Sequence, residues 1–303
     1  MLLGLHHITA LASNPQRNLD FYTQFLGLRL IKRTVNFDDP GTHHFYFGDD
    51  TGRPGTLLTF FAWPNAPRGI RGTGQAVGAS FAVPNNSLDQ WIERARRTAV
   101  EYTAPETRFG QDLITVYDPD GLPIELVASA PRSDRGAIVQ LHSATLRESH
   151  AGRTSTLLTE VLGFEPVAES GNRARFQAGG SFLDIVTSLE EPGKTSTGMV
   201  HHIAFRVIDE AEQRRWRAKL TDAGFRSSAV RDRQYFRSVY FREPGGVLFE
   251  IATDGPGFLI DESLEDLGST LTLPAWLETI RDSIERRLPP VTVPETKRLA
   301  GTR

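Results

Sequence analysis

Apolar and polar positions alternate in four short runs along the chain. The first, Leu5-His6-His7-Ile8-Thr9-Ala10, returns as Leu141-His142-Ser143-Ala144-Thr145 and as Val200-His201-His202-Ile203-Ala204-Phe205. A fourth copy, Gly78-Ala79-Ser80-Phe81-Ala82-Val83, lacks a histidine, its place read as Ser80. A period of two over such a run predicts a half-buried strand. A helical stretch follows each run. Three of these stretches end in a glycine before an apolar residue, at Gly27, Gly163 and Gly224, where a left-handed residue can stop a helix. In the second copy Asn86 and Ser87 are candidate N-caps for the helix through Trp91. About three further strands follow each helix. Two copies close through turns rich in Pro and Gly, Asp118-Pro119-Asp120-Gly121 and Glu243-Pro244-Gly245-Gly246.

The repeating unit is therefore βαβββ, with copies beginning near residues 4, 76, 138 and 199. The chain divides on this reading into an N-terminal pair of modules, 1–137, and a C-terminal pair with a helical tail, 138–303. The tail is expected to carry one amphipathic helix around 273–288 and to fray over its last residues.

Composition narrows the function. The chain has 303 residues, 39% hydrophobic and 23% charged, as in a soluble globular protein. A net charge of -3 gives no basic surplus for nucleic acid, and Arg94, Arg96 and Arg97 read as a solvated helix face. Cysteine is absent, which excludes disulfides, iron–sulfur clusters, thiolate metal sites and a Cys nucleophile. A metal would have to be held by imidazole and carboxylate. The N-terminus does not read as a secretory signal, and no apolar run approaches the roughly 20 residues of a membrane span. A cytoplasmic protein with no membrane partner is expected, and a homo-oligomer is compatible with this reading.

Several ordered stretches carry a resemblance: Lys32-Arg33-Thr34-Val35-Asn36, Thr107-Arg108-Phe109-Gly110-Gln111, Gly171-Asn172-Arg173 and Pro244-Gly245-Gly246-Val247. With the four modules, they resemble the vicinal oxygen chelate superfamily of glyoxalases, bleomycin-resistance proteins and extradiol dioxygenases, and more narrowly the hydroquinone-type ring-cleaving dioxygenases. The resemblance implies an α+β fold in which four βαβββ modules form two cup-shaped mixed β-sheet barrels with peripheral helices. It implies that the first and fourth modules pair around one metal. It also implies an extradiol-type dioxygenase acting on a small aromatic diol and O2 with Fe(II), with Mn(II) or Zn(II) as alternatives on purification.

Strand parity selects the ligands. Ile203, Phe205 and Val207 form an apolar face that His201 shares by alternation, which leaves His202 facing the cup. The same logic places His6 with Ile8 and Ala10, and His7 with Thr9. In the last strand Phe249 and Ile251 make the apolar face, so Glu250 faces the cup, where an unpaired carboxylate would be costly. Two imidazoles and one carboxylate with open positions suit non-haem Fe(II) chemistry. A rival set is His142, Asp184 and Glu125. His43 and His44 read as packing or rim residues and His150 as a surface residue. The resemblance further points to Tyr240, His201, Arg233 and Thr9 as catalytic groups, with Tyr240 sharing the face of Glu250 only after a shift of register. Phe258 and the tail are expected to cap the pocket. Two other classes compete: a glyoxalase-like isomerase or lyase using Zn(II), Ni(II) or Co(II), and a metal-free protein that sequesters an aromatic drug. The first usually wants a second cup-facing carboxylate, which Thr56-Leu57-Leu58-Thr59-Phe60 does not supply.

Overall fold

A computed structural model describes residues 1–134 and 136–293. The expected fraying of the last residues concerns 294–303, which lie outside the described residues.

The first module holds β1 (Leu5–Ala12), a helix α1 (Pro15–Asp20) that widens into a π-helical turn, β2 (Arg29–Asn36), β3 (Asp39–Gly48) and β4 (Leu57–Ala62). The second holds β5 (Gln75–Pro84), α2 (Leu88–Thr98), β6 (Glu106–Arg108), β7 (Gln111–Tyr117) and β8 (Pro123–Ala130). The third holds β9 (Gln140–Glu148), α3 (Gly152–Thr156) and its π-helical extension, β10 (Glu165–Ser170), β11 (Arg173–Ala178) and β12 (Ser181–Thr187). The fourth holds β13 (Val200–Val207), α4 (Glu210–Asp222), β14 (Arg231–Asp232), β15 (Phe236–Arg242) and β16 (Leu248–Pro256). Gly27, Gly163 and Gly224 all take positive φ at the ends of their helices, as a left-handed stop requires. Ser87 precedes α2 but does not cap it with its side chain: its hydroxyl donates backwards to the Pro84 carbonyl.

The strands form two curled, mixed sheets of eight. One runs β14-β15-β16-β13-β1-β4-β3-β2, the other β10-β11-β12-β9-β5-β8-β7-β6. Each sheet takes one module from either side of the 137/138 boundary. The first and fourth modules meet through antiparallel β1 and β13, the second and third through antiparallel β5 and β9. Within each module the first and last strands are parallel.

The core follows the alternation. Ile203, Phe205, Phe249 and Ile251 are completely buried in a large cluster shared with Trp91, Leu158 and Trp216 of the helices. Truncating a ring such as Phe249 at this depth costs about 3–5 kcal/mol. Beyond β16 the chain folds back over β2. Lys32, fully buried, holds this return with Nζ 2.6 Å from Asp261 and 2.5 Å from Glu262. The expected single tail helix is two short ones, α5 (Ala275–Glu278) and α6 (Arg281–Arg287), whose Leu277, Ile284 and neighbouring Leu288 pack on Val35. No described helix is long and apolar enough to cross a membrane.

Candidate metal centre

His7 on β1, His202 on β13 and Glu250 on β16 converge at the floor of the first cup. His7 Nε2 lies 3.2 Å from His202 Nε2. Glu250 Oε2 lies 3.4 Å from the first and 2.9 Å from the second. All three side chains are buried, Glu250 completely. Among the described residues they are the group of His and carboxylate side chains near enough to hold one metal ion.

The donor chemistry fits a divalent metal. Glu250 Oε1 accepts a hydrogen bond from the Ser238 hydroxyl, while Oε2 has no hydrogen-bonding partner although it is buried. A buried, unsatisfied carboxylate oxygen beside two imidazole nitrogens is costly unless a cation sits between them. Burial pushes the Glu250 carboxyl up, but His7 and His202 outweigh it and hold the group well below the usual carboxylate range. Burial lowers His202, so its imidazole stays neutral and able to bind through Nε2.

Two bulges correct the expected parity. In the β1–β13 ladder Leu5 faces Phe205 while His7 faces Ala204, so His6 is the extra residue. At the other end Thr9 faces His202 while Ala10 faces Val200, which makes His201 extra. A bulge breaks alternation and re-aims side chains. His6 therefore turns its Nδ1 to within 2.8 Å of His7 Nδ1, and His201 turns its Nδ1 to within 2.7 Å of His202 Nδ1. His201 does not lean into the apolar core; it lines the cavity above the triad. His6 lies below, with Nε2 3.2 Å from the Thr253 carbonyl. Burial, with His7 beside it, lowers His6 to about 3, and burial with His202 lowers His201 to about 3.

The cavity measures about 300 Å³. Thr9, Tyr46, Phe61, Trp63, Phe236 and Leu248 supply much of its wall. Tyr240 stands directly opposite Glu250 in the β15–β16 ladder, on the same face, after a register shift nearer Phe236. Its hydroxyl accepts from Arg233 Nε at 3.1 Å. Burial and Glu250 push the Tyr240 phenol up against the pull of Arg233, so it stays protonated. Arg233 also pairs with Asp38 at 2.9 Å, and these partners outweigh burial to hold its charge. Thr9 Oγ1 lies 2.8 Å from Thr59 Oγ1, which in turn lies 3.0 Å from His44 Nε2. His44 lines the cavity, whereas His43 bonds the Pro289 carbonyl of the tail.

Phe258 does not cap the cavity. It packs one layer behind the wall, on Tyr46 and Tyr235. Phe37, in the turn after β2, reaches the cavity instead and is braced by Trp276 of the tail. Ser238, Asp38, Tyr46 and Phe236 were not singled out from the sequence. Ser238 was within reach, since it shares parity with Tyr240 on the strand opposite Glu250.

The second cup has no equivalent donor set among the described residues. By ladder position Gly78 and Ser143 stand where His7 and His202 stand, and His142 corresponds to His201. Ser80 corresponds to Thr9, so the histidine's place in the second module belongs to Gly78, not Ser80. Glu125 and Asp184 keep the cup-facing carboxylate positions. Arginines neutralise both: Arg108 reaches Glu125 at 2.7 Å, while Arg173 and Arg175 reach Asp184 at 2.9 Å and 2.7 Å. Arg175 is sandwiched between Phe109 and Phe182. His142 contacts Ser143 and Gln111. The rival set does not converge on a common point.

The model of the Glyoxalase/Bleomycin resistance protein/Dioxygenase superfamily matches residues 4–126 and 140–251. The chain belongs to this superfamily. Within the superfamily it is 41% identical to the Bacillus subtilis protein named "Putative ring-cleaving dioxygenase MhqO", over 97% of this chain and 98% of that one. It is 32% identical to the chlorohydroquinone/hydroquinone 1,2-dioxygenase of Sphingobium indicum, over 94% and 95%. A crystal structure from Bacillus subtilis, described as a "putative dioxygenase", matches with TM-score 0.92 at 40% identity, covering 97% of this chain and 99% of that one. Glyoxalase I from Zea mays shares the fold, with TM-score 0.64 at 14% identity, covering 83% and 92%.

Proposed function

We propose that this superfamily member is a cytoplasmic ring-cleaving dioxygenase that opens a hydroquinone- or catechol-type ring with O2 at Fe(II) held by His7, His202 and Glu250. The observation that carries the reading is the three-donor set beneath a cavity walled by aromatic and apolar side chains. The names of full-length relatives at 32% to 41% identity support it. Two imidazoles and a carboxylate suit Fe(II), which would supply the redox chemistry for reaction of a diol with dioxygen.

This chain's own residues bind and position the diol. Phe61, Trp63, Phe236 and Leu248 exclude water from the ring. Arg233 and Tyr240, already hydrogen-bonded to each other, present N–H and O–H donors to a substrate oxygen. His201 accepts from His202 at Nδ1, so its neutral ring carries the proton on Nε2 and can donate a hydrogen bond to a substrate oxygen in the cavity. Thr9, tied to Thr59, adds a hydroxyl to the cavity wall.

The register weighs against glyoxalase-type isomerisation. Thr59, opposite Thr9 in the β1–β4 ladder, occupies the position related to Glu250, where a second carboxylate base would belong. The complete donor set weighs against a metal-free sequestering protein.

The test is oxygen uptake by anaerobically Fe(II)-loaded protein against hydroquinones and catechols, with ring-opened product followed by absorbance. Iron must be loaded without oxygen and without competing zinc, since later divalent metals bind such ligands more tightly. Failure to consume oxygen on any diol, with isomerisation of a thiol adduct under Zn(II) or Ni(II), would overturn the reading.

A further inference from the structure

The two edges of the first sheet are β2 and β14. The turns beside them meet across the mouth of the cavity: Asp38 follows β2, Arg233 follows β14, and Arg233 Nη2 lies 2.9 Å from Asp38 Oδ2. Both residues line the cavity. Arg233 is the guanidinium and Asp38 the carboxylate among the described lining side chains. Arg233 is itself committed twice, to Asp38 and through Nε to Tyr240. The Asp38 side chain is 63% exposed and that of Arg233 19%, so the carboxylate sits outermost, where an entering ring meets it first. Its backbone N–H donates to Asn36 Oδ1 at 3.0 Å, which fixes the turn that carries it.

We propose that Asp38 sets the charge selectivity of the cavity: it occupies Arg233 and repels anions at the mouth, reserving the site for aromatic diols with no anionic ring substituent. The proposal rests on the reading of the ligand as an aromatic diol. A ring carboxylate could reach Arg233 only by displacing Asp38, or else would lie beside it uncompensated. Specificity of this kind comes from a repulsive element as much as from an attractive one. A neutral hydroquinone meets Phe37, Phe61 and Trp63 without that penalty.

The experiment compares hydroquinone with 2,5-dihydroxybenzoate in the Fe(II)-loaded wild type and D38N, a variant that keeps shape and removes charge. Removing a like charge at close range is expected to raise the ratio of kcat/KM for 2,5-dihydroxybenzoate over hydroquinone by at least about tenfold. In parallel, calorimetry without oxygen is expected to show tighter binding of 2,5-dihydroxybenzoate to D38N, with hydroquinone changed less, and the gain lost in D38N/R233Q. A merely structural role would lower both substrates together and leave the ratio where it was; that result overturns the proposal while turnover keeps the ring-cleavage reading intact. If no diol is turned over, calorimetry decides alone: a selective gain in carboxylate binding sustains the role of Asp38 though the dioxygenase reading has failed, and no gain overturns it.

Discussion

His6 and His7 are adjacent in sequence, yet their imidazoles face each other Nδ1 to Nδ1 at 2.8 Å. Only one of these nitrogens can carry the proton. If His7 keeps its Nδ1–H, it donates to His6 and leaves Nε2 bare toward His202 and Glu250. His6 then carries its own proton on Nε2 and donates it to the Thr253 carbonyl. The pair thus sets the tautomer that metal binding requires. His6→Phe, which keeps bulk and removes the acceptor, is expected to weaken metal affinity about 10- to 100-fold. Chelator competition at fixed pH measures it, and unchanged affinity would show that the contact is packing alone.

Loss of a ligand should exceed that effect. His202→Ala and Glu250→Gln are expected to lower metal affinity by more than about 100-fold, beyond what an outer partner costs. Metal content after dialysis, with circular dichroism to verify folding, reads the outcome. Retention of one equivalent by either variant would mean the metal lies elsewhere.

The second cup gives the contrasting case. His142→Ala is expected to leave metal content and turnover unchanged, because its partners are Ser143 and Gln111. Asp184→Ala should instead leave Arg173 and Arg175 with uncompensated charge in a buried setting, at a cost of about 3–5 kcal/mol in stability. Denaturant midpoints of the two variants should therefore separate widely. Equal midpoints would show that the arginines find solvent.

A pH effect is expected away from the candidate metal centre. Glu243 accepts from the Gly245 and Val247 amides and the Thr154 hydroxyl. Glu148 packs against Gly245, its Oε1 lacks a partner, and burial followed by repulsion from Glu243 raises it to about 8. Its folded value lies above its unfolded one, so the folded state holds the extra proton and stability falls as pH rises from about 4.5 to about 8. Glu148→Gln should remove that slope, gaining of order 1–3 kcal/mol at pH 8 and little at pH 4. Unfolding midpoints across this window would reject the assignment if both proteins keep the same slope.

Much of this arrangement was legible in the chain. The βαβββ period appears in the repeated runs, and parity on the last strand separates Glu250 from Phe249 and Ile251. Alternation failed at His6 and His201 because it presumes an unbroken ladder, and a bulge is a property of two strands together. The contact between Asp38 and Arg233 was invisible for a related reason: it joins opposite sheet edges that only the curl brings together. Phe258 looked like a lid because it is aromatic and follows β16, but Tyr46 and Tyr235 offer it a drier partner than the cavity does.

The pairing of β1 with β13 also has a consequence for synthesis. Glu250 emerges from the ribosome long after His7, when the fourth module is nearly complete. Until then His7 lacks the carboxylate that completes the three-donor set, so an ion held as proposed must wait for the fold that encloses it. Arrested nascent chains ending at residue 245 should accordingly show no more iron uptake than His7→Ala versions of themselves.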